Sequence, residues 1–428
     1  MSVRENQKMP VSARIISLRV RNYRSLADVD LTLEPLTVFV GLNGAGKSNL
    51  MDVLRFVRDV MTGRLEKAVD ERGGMSALRR WSPKGRPYNV SIELHLQGED
   101  WRAQYSFELG SERRGEFRIR REVCQVTYRQ EIHFYETANG KWVQQPFIKP
   151  ALLDLISQEA LIPQEELGGK IREEFQKKIM EVPERELFLP RAALLLGDTA
   201  YAEVWNALRD MGFYAVFPNV LREATRPDNP YPLRDDAQNL SSTLRALRRE
   251  HPEAFERILR FLKVAVPGVE DVGVRQVGGR LVAQIYHRQR PEEGRERAAF
   301  DLAQEADGTL RILALLTALF QEPPRSLVGI EEPELNIHPG ALAVLRDAIN
   351  LASKRTQILI TTHSPDLLEA FPPEVFRVVE MVDGVTVVGP MTAHQREAIR
   401  DRLFSAGELF RIEGLFREEP HATPVDVG

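Results

Sequence analysis

The stretch LTVFVGLNGAGKSNLMDVLRFVRDVM, Leu36–Met61, decides the fold. Leu36–Val40 is an apolar, β-branched run that reads as a strand. Gly41–Ser48, GLNGAGKS, matches the phosphate-loop pattern G-x-x-x-x-G-K-[ST] in full. From Ser48 to about Lys67, apolar residues at Leu50, Val53, Leu54, Val57 and Met61 follow a helical period. A glycine loop between strand and helix lets backbone N–H groups ring a phosphate, and the helix N-terminus adds its positive end. Asn43, Gly44, Ala45, Gly46, Lys47, Ser48 and Asn49 are therefore candidate nucleotide contacts. Lys47 is expected to reach the β- and γ-phosphates and Ser48 to ligate Mg²⁺.

Three further pieces stand downstream. LVGIEEPE, Leu327–Glu334, is a short apolar strand that ends in two carboxylates. A buried parallel strand delivers such a pair to its C-terminal edge, where α/β sheets bind ligands. Glu331 is then placed to hold the Mg²⁺ and Glu332 to orient or deprotonate a water. ILITTHS, Ile358–Ser364, places His363 at a second strand end, where a ring nitrogen can donate to a γ-phosphate. His338, before Pro339, reads instead as a helix cap. ADGTLR, Ala306–Arg311, opens a helix over Thr309–Phe320. Its Asp307, Gly308 and Thr309 are candidates for a second anion-binding helix start, which has a use if it faces the nucleotide of another subunit; the same residues also read as an ordinary D-G turn that opens a buried helix.

Around these motifs the chain divides. Ala13–Val20 reads as a strand. Asn89–Leu96, Trp101–Leu109, Arg118–Tyr128 and Glu131–Tyr135 read as an antiparallel sheet. Between about Gln144 and Arg249, prolines recur at Pro146, Pro150, Pro163, Pro183, Pro190, Pro218, Pro227, Pro230 and Pro232. Short helical patterns, such as Leu152–Leu161 and Glu165–Met180, lie among them. A mostly helical insertion over 144–250 is expected, with no long coiled coil, because each proline breaks a helix interior. A helix near Pro252–Val264 and strands at Val272–Val277 and Arg280–His287 follow. Helix and strand then alternate (Thr309–Phe320, Ser326–Glu331, Pro339–Ser353, Gln357–Thr361), the pattern of a parallel α/β core. The expected division is 13–143, 144–250, 251–416 and a loose tail at 417–428.

Composition narrows the class. The 428 residues are 43% hydrophobic and 28% charged, ordinary for a globular protein, and the formal charge of −4 offers no global cationic field. Contact with double-stranded DNA would need local basic stretches. Arg113–Arg129, Arg245–Arg249 and Arg288–Arg297 are the candidates. The single cysteine, Cys124, allows neither an internal disulfide nor a cysteine metal site. The longest apolar run, Ile312–Phe320, is far short of the ~20 residues of a membrane span, and the polar MSVRENQKMP start carries no secretory signal. A cytoplasmic protein without a membrane partner is expected.

The order of phosphate loop, signature, double carboxylate and histidine resembles the ABC-type ATPases. The likeness is strongest in the branch holding RecF, the SMC chromosome proteins and the overcoming-lysogenization-defect nucleases. RIISLRVRNYRSLADVDLTLEPLTVFVGLNGAGKSN, IEEPELNIHP and ITTHSPDLL carry the resemblance, specifically over residues 13–50 and 300–370. It implies an α/β P-loop NTPase of the ABC-ATPase head type, two-lobed, with an inserted mainly helical subdomain. ATP and Mg²⁺ are the implied ligands. A head-to-tail homodimer would sandwich two ATP molecules, each between the phosphate loop of one copy and the signature of the other. By that likeness Glu332 is the catalytic glutamate, His363 the switch histidine, and Lys47 and Ser48 bind nucleotide and Mg²⁺. Glu334–Pro339 lies where the family has its dimer-communicating loop. Glu331 replaces the usual Asp, and Ala306 stands where the signature normally carries Ser. Gln125 and Gln130 are the candidates for the lobe-connecting glutamine. No heptad arm, no C-x-x-C hook and no acidic cluster of a fused Toprim nuclease is evident, so a nuclease or effector would be a separate partner. Repair, anti-phage defence and an ATP-gated protein switch all use such a head, whereas the long insertion speaks against a transporter domain.

Overall fold

The computed structural model describes residues 13–82, 87–112, 116–146, 180–182, 184–196, 198–288, 297–369 and 371–418. The expected helices at Leu152–Leu161 and Glu165–Met180, and the core of the Arg288–Arg297 loop, fall essentially outside these residues.

Three strands and a helix open the fold: β1 (Arg14–Tyr23), β2 (Leu26–Thr32), β3 (Leu36–Val40) and α1 (Lys47–Thr62). The helix is shorter than its apolar period suggested. It stops at Gly63, and Leu65–Asp70 forms a separate short helix. An antiparallel run follows: β4 (Val90–Gln97), β5 (Trp101–Ser111), β6 (Phe117–Tyr128), β7 (Glu131–Ala138) and β8 (Lys141–Gln144). With β1 and β2 they make a seven-stranded sheet, ordered β2-β1-β4-β5-β6-β7-β8. Burial alternates along β4 and β5, so one face is apolar and the other wet.

The second half begins with α2 (Thr199–Arg209) and β9 (Met211–Tyr214), then α3 (Leu240–Glu250) and α4 (Pro252–Ala265). A three-stranded antiparallel sheet comes next: β10 (Val269–Val277), β11 (Arg280–Arg288) and β12 (Arg297–Asp301). It leads into α5 (Asp307–Phe320), β13 (Leu327–Glu331), α6 (Pro339–Ala352), β14 (Gln357–Thr362), β15 (Phe376–Val382) and β16 (Val385–Pro390). The core sheet is ordered β16-β15-β3-β14-β13-β9, parallel except for β16. β3 and β14 are buried along their whole length, as central parallel strands covered on both faces must be.

Side chains on the two faces of this sheet feed separate cores. Phe39, Phe213 and Leu359 pack with α1, α2 and the seven-stranded sheet. Val38, Val40, Ile330 and Ile360 pack with α3, α4, α5 and α6. From Thr309 to Phe320 every residue of α5 is buried, so the signature helix runs through the second core.

β9 changes the expected division. Its four residues pair in parallel with Leu327–Ile330, so the 144–250 stretch is not wholly a helical insertion. A strand this short carries no alternation by which to recognise it. At the other end, the start of the expected 417–428 tail is held: the Glu418 N–H donates to the Pro390 carbonyl at 2.8 Å, and Glu418 pairs with Arg396 at 2.9 Å. The rest of that tail lies outside the described residues. Among the described residues, no helix is long and apolar enough to cross a membrane. Cys124 is buried and free.

Candidate functional site

Strands β3, β13 and β14 end on one edge of the core sheet, and each end carries part of a cleft. Its volume is about 510 Å³, and Asn43, Gly44, Gly46, Lys47, Ser48, Asn49, Arg311, Glu331, Glu332 and Thr361 are among its lining residues. Ala215, Val216 and Phe217, which follow β9, line it too.

The phosphate loop needs its glycines. Gly44 and Gly46 have φ of +81° and +101°, the left-handed region that costs glycine little. A Cβ at Gly46 would sit 2.0 Å from the Thr386 hydroxyl. That hydroxyl donates to the Ala45 carbonyl at 3.0 Å and lies 2.6 Å from the Ser25 hydroxyl. Asn49 donates to Ser25 at 2.6 Å. The loop is thus held from behind by the β15–β16 hairpin and the β1–β2 turn. Ala45 is buried against this support, whereas Asn43, Gly44 and Ser48 face the solvent of the cleft. Lys47 folds its ammonium onto the carbonyls of Gly41 (2.8 Å) and Leu42 (3.1 Å). Burial lowers its pKa, against the opposing pull of Glu332 and Glu334.

Opposite the loop, Glu332 has a φ of +46°, unusual for a residue with a side chain. Three contacts hold it there. Its N–H donates to Thr361 at 2.9 Å, its carbonyl accepts from Arg311 at 2.8 Å, and its carboxylate lies 3.0 Å from His363 Nδ1. Arg311, 5% exposed, also donates to the Val216 carbonyl at 2.8 Å. One guanidinium therefore ties the signature helix to the end of β13 and to the segment after β9. Burial lowers the Arg311 pKa. Glu331 is engaged by Arg55 at 2.7 Å, an ion pair across the cleft floor.

Glu334 lies behind this pair. One oxygen accepts from the Thr362 hydroxyl at 2.6 Å, while the other is buried without a partner among the described residues. Burial raises its pKa. Arg311, Glu334, Arg55 and the Ser25–Thr386 support were not assigned roles from sequence. EEPE itself signalled Glu334, but its burial could not be read from the motif.

The signature end stands apart from the cleft of its own chain. Ala306 is the N-cap of α5 and makes no side-chain cap. Asp307 is exposed and pairs with Arg222 at 2.6 Å. A Cβ at Gly308 would lie 2.5 Å from the Asn336 carbonyl, so the helix start is packed against the expected communicating loop. Thr309 is buried. His338 caps α6 by accepting from the Gly340 N–H, the role its place before Pro339 predicted. Gln125, on β6, and Gln130, in the turn after it, do not line the cleft.

The arginine stretches are largely neutralised where they are described. Arg118 and Arg120 share Glu112, Arg121 pairs with Glu136 and Arg129 with Asp100. Arg248 pairs with Asp271 and Arg249 with Glu250. Arg288 and Arg297 converge on Glu270, whose pKa their contacts lower.

Comparison with known proteins agrees with the motifs. Residues 195–369 match the family described as "AAA domain, putative AbiEii toxin, Type IV TA system", and residues 14–79 match "AAA ATPase domain". A 49-residue stretch is 47% identical to the DNA replication and repair protein RecF of Arthrobacter sp. (strain FB24). It covers 11% of this chain and 12% of that protein, so the match spans about an eighth of the relative. The Smc head domain derived from Pyrococcus furiosus, solved with an extended coiled coil and the C-terminal domain of ScpA, is 14% identical with a TM-score of 0.47. That alignment covers 91% of this chain and 99% of the head. The SMC head domain from Thermotoga maritima is 15% identical with a TM-score of 0.38, over 89% and 100% of the two chains. Residues 14–79 and 195–369 thus match ATPase-domain families, and a short stretch of the chain is similar to RecF.

Proposed function

We propose that the chain binds and hydrolyses ATP, and that ATP draws two copies into a head-to-tail dimer. Closure of that dimer would act on DNA or license a separate nuclease or effector, in repair or anti-phage defence. The observation that carries this reading is the strained Glu332, backed by His363 at 3.0 Å and facing the phosphate loop across one cleft.

The residues present fit the ligands. Left-handed Gly44 and Gly46 leave the loop backbone open to phosphate oxygens. Lys47 would exchange the Gly41 and Leu42 carbonyls for those oxygens. Ser48 and Glu331 would hold Mg²⁺. An ion held by these two side chains would keep waters and phosphate oxygens as further ligands. When bound, Mg²⁺ supplies positive charge to the phosphate oxygens. Glu332 would hold the attacking water and take its proton, and His363 would keep that carboxylate oriented. Asp307, Gly308 and Thr309 would meet the nucleotide of the second copy, with Arg222 offsetting the charge of Asp307.

A second reading is an ATP-gated protein switch with slow hydrolysis. The neutralised arginine stretches and the missing hydroxyl at Ala306 favour it. Steady-state hydrolysis by the wild type and Glu332→Gln, with and without linear duplex DNA at low salt, separates the readings. Turnover that falls about a hundredfold or more in Glu332→Gln supports the hydrolytic site. Stimulation by DNA supports the first reading, and indifference to DNA the second. Equal turnover in both proteins would remove Glu332 from its role.

A further inference from the structure

Among the described residues, a further pair of arginines carries no carboxylate partner. Arg79 and Arg80 form no ion pair among the described residues; the contact of Arg79 is a 3.4 Å bond to the Arg80 carbonyl. Next to them Trp81 is 77% exposed, while Trp101 is buried and Trp142 and Trp205 are half-buried. An exposed indole thus follows, in sequence, two arginines that carry no ion pair among the described residues. An exposed indole can stack on an unpaired base, and guanidiniums can meet phosphates.

These residues are also built onto the phosphate loop's support. The Arg80 N–H donates to the Asn22 carbonyl at 2.8 Å, and the Arg24 N–H to the Leu78 carbonyl at 2.9 Å. Tyr23 bridges to Arg79. An isolated antiparallel bridge and two backbone bonds thus tie residues 78–80 to the β1–β2 turn. The same turn supplies Ser25, which takes the Asn49 amide and meets Thr386 behind Ala45. Arg24 and Tyr23 also grip Asp52 of α1, at 3.0 and 2.6 Å. A ligand on Trp81 would therefore pull on the turn against which the nucleotide loop rests.

We propose that Arg79, Arg80 and Trp81 bind single-stranded nucleic acid, the indole stacking on an unpaired base and the two arginines meeting phosphates. This rests on the nucleic-acid arm of the proposed function and moves the contact away from the neutralised arginine stretches. Duplex ends with a frayed strand would qualify, whereas a fully stacked duplex offers no free base face.

The test uses the full chain without nucleotide, so it does not depend on hydrolysis. Oligothymidine of about 20 nucleotides is titrated at low salt and followed by fluorescence anisotropy, with tryptophan quenching as a second signal. Trp81→Ala is expected to weaken binding about tenfold and to remove most of the quenching, and Trp81→Phe to stay within about threefold of wild type. The Arg79→Ala/Arg80→Ala pair is expected to flatten the slope of log K against log salt by about 1.4, two phosphates at ~0.7 each. Unchanged melting of the variants shows that the fold is intact. Wild-type affinity in Trp81→Ala would overturn the proposal, as would no binding by the wild type, or equal binding of blunt duplex that ignores Trp81. A chain that hydrolyses ATP through Glu332 yet fails here loses only this site.

Discussion

Two glutamates, one buried and one half-buried, show how differently this molecule treats a carboxylate. Glu122, on β6, is 1% exposed and takes four donors: the hydroxyls of Tyr105 and Tyr135, at 3.0 and 2.8 Å, and the N–H groups of Phe188 and Leu189, at 2.6 and 3.0 Å. Glu334, at the cleft, takes one donor through one oxygen and leaves the other bare. Burial raises both pKa values; at Glu122 all four hydrogen bonds oppose the rise, while at Glu334 the Thr362 bond and His363 oppose it and the charge of Glu332 adds to it. The first carboxylate fastens the chain that re-enters at Phe188 to the antiparallel sheet. The second lies beside Glu332 and His363, whose charges act on it. Glu122 is fully satisfied where it fastens the scaffold, whereas Glu334 keeps one buried oxygen without a partner beside the cleft.

The largest effect should come from breaking the scaffold. Glu122→Ala strands two buried N–H donors at about 1–3 kcal/mol each, before counting the tyrosines. A steep fall in melting temperature is expected, with ATP affinity unchanged in whatever remains folded at low temperature. Lys47→Ala should invert this pattern. Its ammonium touches two loop carbonyls and nothing distant, so melting should hardly move while ATP affinity falls at least about a hundredfold, ~2.7 kcal/mol. Calorimetric melting and ATP titration of both variants check the pair. Tight ATP binding by Lys47→Ala would refute the loop's role.

Glu334→Gln sharpens the comparison from the other side. The folded-state pKa is raised, so between the unfolded and folded values the native chain holds the extra proton, and stability falls as pH rises through that window. Above it the cost of the buried charge is fully present. Glutamine carries no charge and can still accept from Thr362. The variant should therefore melt above the wild type at neutral pH, with the advantage shrinking as pH falls toward the ordinary carboxylate range. Parallel melting curves from pH 4.5 to 8 decide it (a range set around the ~4.3 of a free Glu). A constant difference across that range would mean that Glu334 holds no extra proton in the fold.

What the sequence made legible follows the same division. Buried parallel strands are continuous apolar runs, and here they end on Gly41, Glu331 and His363, so the cleft could be assembled from three short stretches. The supports could not. Ser25 and Thr386 meet across 361 positions, and neither type of residue carries a pattern. Arg311 sits within the apolar helix Asp307–Phe320 and read as the last letter of a motif, although its guanidinium grips Glu332 from within the core. β9 has four residues and finds its partner only through β13. The arginine stretches failed for a different reason. Composition counts charges, but the acids that neutralise them stand on neighbouring strands: Glu270 against Arg288 and Arg297, Glu136 against Arg121.

The smallest expected effect lies at the signature end, which belongs to neither class. Ala306 occupies the N-cap of α5 with nothing to offer the first turn, and alanine is a poor residue there. A serine hydroxyl at this place has two uses. It can accept from a free N–H of its own helix, which stabilises the unpartnered chain by about 1 kcal/mol. It can also reach the nucleotide of a second copy. Ala306→Ser should therefore raise the melting temperature slightly without ATP and tighten the ATP-dependent dimer a few-fold in sedimentation measurements. A rise in melting with an unchanged dimerisation constant would confine the hydroxyl to the cap. The weak signature would then be a property of the helix start, and Asp307 and Arg222 would be left to shape the contact between copies.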